Sequence, residues 1–215
     1  MDDNRFTTGV QKDLARRKQE LSRMTIMVGE ENPDPTRLSY ICRSAVMLVY
    51  AHWEGFVKTS SIKYIKFVSS QQVSVANLKL PLQAAYLVSH FKRASESTKP
   101  RHLGELLGEI DGRRGAVFSV NPNKCIDTES NLSSTVFRDL VLGLGLDYLD
   151  FYSTRQNFID QQVLHSRNQV AHGELVTFDS EEVKARISGV RSLLDTYSNQ
   201  LINAVRDQDF LAVKG

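Results

Sequence analysis

The sequence predicts an all-α protein: an up-and-down bundle of long helices with one irregular insertion over residues 99–127. Three observations carry this. Apolar residues recur at helical spacing, not in alternation, through most of the chain. Helix-start signals stand at the heads of these runs. Short stretches rich in Gly, Pro and Ser separate them. The chain has 215 residues, 41% hydrophobic and 24% charged, which suits one domain with a real core. Residues 1–215 are therefore read as a single helical domain.

Each element follows from local pattern. The first helix is expected over Thr8 to Val28, with Val10, Leu14, Leu21, Met24 and Val28 near one face. "GEENPDP" ends it. Asp34 as N-cap and Pro35 in the first turn start a long second helix to Val68. Its buried stripe is Leu38, Ile41, Ala45, Leu48, Val49, Trp53, Phe56 and Val57. Pro81 opens a third helix, which "SESTKP" breaks after Ala94. From Lys99 to Asp127 the pattern is least regular, with a short apolar turn in "HLGELLGEI" and an extended piece at Ala116 to Val120. Ser130 or Asn131 caps the next helix, which "GLGLD" ends. Ser153 or Thr154 starts the helix that runs to His172. Asp179, with Glu182 three residues on, resembles a capping box. It leads a last helix with Val183, Ile187, Val190, Leu194, Tyr197, Leu201 and Val205 in register.

Composition excludes several classes. A net charge of +2 means that any anionic partner must be held by a local patch. The two cysteines, Cys42 and Cys125, are far apart and form neither a CxxC pair nor a metal spacing. Cys42 lies in an apolar helical run and reads as a small buried hydrophobe. No signal peptide and no apolar run of transmembrane length is visible, so a cytoplasmic protein with no membrane partner is expected. Gly-rich phosphate loops, HExxH, GxSxG and zinc patterns are absent from the sequence; no metal or other cofactor is expected.

The informative stretch is "VLHSRNQVAHGELV", Val163 to Val176, which places Arg167, Asn168 and His172 on the last turns of a helix before Gly173. The spacing of arginine and histidine is by itself a weak signal. Here a polar residue follows the arginine, the motif ends a helix in an all-α chain, and a small residue and a glycine bracket the histidine. With "YAHWEGFVK" (Tyr50 to Lys58) and "SNLSSTVFRDLVLGLGLD", this resembles the HEPN superfamily and, within it, the MAE-like branch of RNA-cleaving effectors. The resemblance spans roughly residues 38–201. It implies a metal-independent endoribonuclease acting as a homodimer with the motifs at a shared cleft. It also implies a toxin or antiviral defence role, with RNA as substrate and an antitoxin or sensor protein as a further partner. Arg167, Asn168 and His172 are the expected catalytic residues, and through the resemblance Glu54 stands behind them.

The chemistry suits these residue types. In metal-independent cleavage the 2′-hydroxyl attacks the adjacent phosphorus, and the 5′-oxygen leaves. Histidine titrates near neutrality and serves as base or acid. Arginine's planar fork matches phosphate oxygens, and Asn168 can orient the phosphate or His172. Positions five apart on a helix lie about 140° apart, so one helix does not aim Arg167 and His172 at one phosphate. Two copies across a two-fold axis fill each other's gap.

Plainer readings stand beside these. His172 is equally a helix C-terminal histidine near the dipole, with Gly173 as the C′ residue. Trp53 reads as core, Glu54 and Lys58 as an i, i+4 pair, and His165 as a surface residue; His52 is unplaced. Lys58, Lys63 and Lys66, with "FKR" and "GRRG", read as solvated faces before RNA patches. The alternative function is a non-catalytic helical module that scaffolds or binds RNA or a nucleotide.

Overall fold

The computed structural model describes residues 1–31, 34–94 and 100–212. Nine α-helices are present among them: α1 Asp3–Val28, α2 Pro35–Ser70, α3 Leu80–Ala94, α4 Pro100–Arg113, α5 Pro122–Cys125, α6 Ser134–Gly143, α7 Asp150–Ser153, α8 Ser166–Ala171 and α9 Ser180–Arg206. A π-helical segment, Phe158–His165, runs directly into α8. Among the described residues there is no strand, only two isolated antiparallel bridges, Ser74 to Val117 and Leu78 to Leu211. No helix there is long and apolar enough to cross a membrane. The all-α expectation holds.

Helices α1, α2 and α9 pack on one another and form the body of the molecule. Their apolar stripes explain this. All seven residues expected on the inner face of α9 are buried, as are Val10, Leu21, Met24 and Val28 of α1. On α2, Ala45, Val49, Trp53, Phe56 and Val57 are buried as expected, and Trp53 packs edge-on to Phe137 at 4.8 Å. Leu48 is a correction: it is 47% exposed, on the opposite side of α2. Cys42 is buried, as expected.

Several boundaries move for identifiable reasons. Helix α1 begins earlier than expected because Asp2 caps it, accepting from the Arg5 N–H at 2.7 Å. Asp34 caps α2 as foreseen, accepting from Arg37 N–H at 2.8 Å. The 99–127 excursion is more regular than its glycines suggest: α4 occupies 14 residues of it, and Val117 makes only a single bridge in place of an extended piece. Lys99 itself lies outside the described residues. Neither Ser130 nor Asn131 caps α6. Ser133 does, accepting from Val136 N–H at 3.2 Å, and the Asp160 carboxylate adds bonds to the N–H and hydroxyl of Ser134 at 2.7 and 2.6 Å. Asp179 caps α9 through Glu181 N–H, but Glu182 turns to Arg186, so the reciprocal half of the capping box is not made.

Candidate active site

The largest departure from expectation lies in the element that carries the motif. In place of one α-helix from Thr154, the chain makes the one-turn α7, a turn, then eight residues of π-helix before α8. Wide π turns are rare and cluster at functional sites. Two contacts accompany this one. Ser166 Oγ donates to Gln161 O at 3.3 Å, across the end of the wide turn. Phe158 packs on α9 at Gly189, where an added Cβ would stand 2.4 Å from the ring. Gly189 thus lets the π segment lie close against α9.

Helix α8 ends in a Schellman motif. Gly173, with φ +77°, sends its N–H to Val170 O at 3.1 Å, and Glu174 N–H reaches Gln169 O at 3.0 Å. Gly173 is the C′ residue expected from the sequence, and His172 is the C-cap, its N–H on Asn168 O at 2.9 Å. The chain beyond is pinned from α2: Arg43 donates to Glu174 O and Val176 O at 2.7 and 3.0 Å. His172 is therefore an exposed imidazole on a fixed backbone.

Arg167 is half-buried and points to another element. One Nη donates to Ser130 O at 3.2 Å and to Asn131 Oδ1 at 3.1 Å. Its guanidinium lies 4.0 Å from the Tyr50 ring centroid, a cation–π stack. Its Nε is buried without a hydrogen-bond partner. Tyr50 is buried on α2, and its hydroxyl accepts from Leu132 N–H at 2.7 Å. Burial pushes that hydroxyl above its ordinary range, against the lowering pull of the Leu132 N–H and Arg167, so it stays a neutral phenol. One turn along α2, Glu54 accepts from Thr128 Oγ1 at 2.7 Å.

Tyr50, Glu54 and Arg167 thus converge on one tight turn, residues 128–132. Glu129 and Ser130 hold φ of 51° and 59°, two consecutive non-glycine residues in the left-handed region. Each such residue costs on the order of 1–2 kcal/mol, and persists only where surrounding contacts fix it. Those contacts are the bonds just described.

The structure brings Arg167 and Glu54 to the same turn. Asn168 is half-buried and His172 exposed; among the described residues no side-chain hydrogen bond joins either to Arg167. Glu54 makes no ion pair with Lys58 and serves Thr128 instead. Tyr50 is the residue the sequence reading missed. It stands one turn before Glu54 in "YAHWEGFVK", and that i, i+4 spacing is the signal that would have placed both on one face. His165 is exposed, as expected, whereas His52 is buried beside Glu20. Of the basic residues, Lys63 donates to Gly9 O at 2.6 Å, while Lys58 and Lys66 are exposed. Arg113 ends α4 and Arg114 lies 3.7 Å from Asp111. The "FKR" side chains lie outside the described residues.

The chain offers a guanidinium fixed by stacking and hydrogen bonds, the amide of Asn168 next to it in sequence, and an exposed imidazole five residues on at the helix end. These residue types suit a phosphate oxygen and proton exchange, and on one helix the arginine and the histidine lie about 140° apart. A family model described as RiboL-PSP-HEPN matches residues 12–203. The narrower MAE-like assignment is not carried by that match. No curated protein and no solved structure matches the chain.

Proposed function

Because the chain belongs to the RiboL-PSP-HEPN family, a group with nuclease or RNA-related roles, we propose that it is a metal-independent endoribonuclease that works as a homodimer. The observation that carries this reading is the mounting of Arg167 on Ser130, Asn131 and Tyr50, with an exposed His172 five residues on at the end of the same helix. Arg167 binds a phosphate oxygen and stabilises the charge that develops on phosphorus. Asn168 orients the same phosphate. One His172 takes the proton of the attacking 2′-hydroxyl, and the other gives a proton to the departing 5′-oxygen. The products are a 2′,3′-cyclic phosphate and a 5′-hydroxyl. Glu54 acts at a distance, by holding Thr128 and so the turn on which Arg167 rests.

Pairing about a two-fold axis is supported by the outer face of α2. Tyr40, Ser44, Leu48 and Ala51 are exposed there at i, i+4, i+8 and i+11, with no charge among them. Leu175, just past the motif, is 100% exposed. An uncharged helical stripe beside an exposed leucine suits a second copy of the same chain. The RNA substrate, the toxin or defence role, the cytoplasmic setting and an antitoxin or sensor partner belong to this proposal through the family.

One observation favours the second reading, a non-catalytic binding or scaffold module. Arg167 already spends an Nη on Ser130 and Asn131 and its face on Tyr50, as a purely structural arginine would. Mixed dimers separate the two. RNA is incubated in EDTA with wild-type protein and with dimers containing one wild-type and one His172→Ala chain. The proposal expects cleavage by the wild type and a large loss in the mixed dimer. Full activity in the mixed dimer contradicts two required histidines, and inactive wild type supports the scaffold.

A further inference from the structure

A cavity of about 370 Å³ opens between α3, α5 and α6, away from His172. That is within the range of small-ligand pockets. Its walls are apolar: Ile65 of α2, Ala85 of α3, Ile126, and Val136, Leu140 and Leu144 around α6. Three acidic residues, Asp127, Glu129 and Asp139, are among its lining residues, against one basic residue, Lys124. Asp127 is occupied in its own turn, accepting from Glu129 N–H at 2.8 Å. The carboxylates of Glu129 and Asp139 have no ion-pair or hydrogen-bond partner among the described residues.

The cavity shares a wall with the arginine's support. Asp127 and Glu129 line the cavity, while Ser130 O and Asn131 Oδ1 of the same turn hold Arg167. Between them lie the two positive-φ residues, Glu129 and Ser130. Any movement of residues 127–131 is therefore a movement of the groups that hold Arg167.

We propose that this cavity binds a small amphipathic cation, an apolar ring or chain bearing an amine, and that its occupancy is relayed to Arg167 through residues 127–131. The relay's functional meaning rests on the ribonuclease reading; binding and the movement of Arg167 do not. The apolar walls take the body of the ligand, and the two unpaired carboxylates take its ammonium.

The test uses the full chain labelled at Ile, Leu and Val methyls, titrated with 4-phenylbutylamine and separately with 4-phenylbutyrate. The amine is expected to shift the Ile126, Val136, Leu140 and Leu144 methyls saturably, with an affinity at least about ten-fold above that of the carboxylate. The Arg167 Nε–H resonance is expected to move along the same binding curve. Asp139→Asn, at an exposed position, lowers amine affinity by about five-fold. Gly143→Leu adds bulk at a lining position where an added Cβ meets no neighbour, and is expected to weaken binding. Absence of saturable shifts at millimolar amine overturns the site. Equal affinity for amine and carboxylate overturns its charge preference. Binding with an unmoved Arg167 resonance overturns the relay. RNA cleavage is not read, so an inactive enzyme leaves the outcome unaffected.

Discussion

Tyr50 does two jobs that separate substitutions can pull apart. Its ring stacks under Arg167, and its hydroxyl accepts the Leu132 N–H. Tyr50→Phe keeps the stack and orphans a buried N–H, a cost of about 1–2 kcal/mol in chemical denaturation. RNA cleavage, on the proposed reading, falls little. Tyr50→Leu removes both and is expected to cost far more activity than Tyr50→Phe; equal activity in the two would show that the stack does not position Arg167. His52 supplies a pH dependence. Burial holds its imidazole below the ordinary histidine range, although Glu20, 3.4 Å away, pulls the other way. The unfolded chain therefore binds a proton near pH 6.5 that the folded chain resists. Stability from this group is full above about pH 6.5 and is lost as pH falls toward the lowered folded value. Urea midpoints measured from pH 7.5 to 5 are expected to fall, and to fall less in His52→Gln. Parallel slopes in the two proteins would rule His52 out as the cause.

At the scale of elements, what could be read from sequence depended on whether the cause was local. The α9 stripe was legible because apolar residues recur with helical period and each of the seven meets the core. The Asp34 cap and the Gly173 C′ position were legible because short-range hydrogen bonds enforce them. The π segment was not. A wide turn has no residue signature of its own, and its accommodation here depends on Gly189, some thirty residues downstream, whose missing Cβ admits Phe158. The turn at 128–132 was hidden for the same reason: its partners Tyr50, Glu54 and Arg167 come from two distant helices. Gly189→Ala tests the packing argument. Alanine favours a helix over glycine by about 1 kcal/mol, yet the clash with the Phe158 ring costs about 1–3 kcal/mol. Net destabilisation is expected in thermal unfolding, and Phe158→Leu in the same chain should restore part of it. A more stable Gly189→Ala protein would refute the close contact.

For the whole molecule, three long helices make the body, and the motif rides on a short helix packed on α2, with the π segment before it packed on α9. Such a frame holds Arg167 firmly but leaves His172 facing outward, and the proposed second copy completes the site. Leu48→Glu puts a charge in the uncharged α2 stripe without touching the core. Light scattering is expected to show the wild type as a dimer and Leu48→Glu as a monomer, with cleavage lost alongside. An active monomer would place the whole site within one chain.

His172 is proposed to act chemically on RNA, and the ends of the products report that role. Wild type and His172→Ala are compared on the same RNA in EDTA, and the termini of any fragments are identified. His172 is exposed, so the substitution should leave stability within about 0.5 kcal/mol of wild type. The expected result is fragments from the wild type alone, ending in 2′,3′-cyclic phosphate and 5′-hydroxyl. Equal cleavage by both proteins, or fragments ending in 3′-hydroxyl and 5′-phosphate, would rule out His172 as the proposed acid and base.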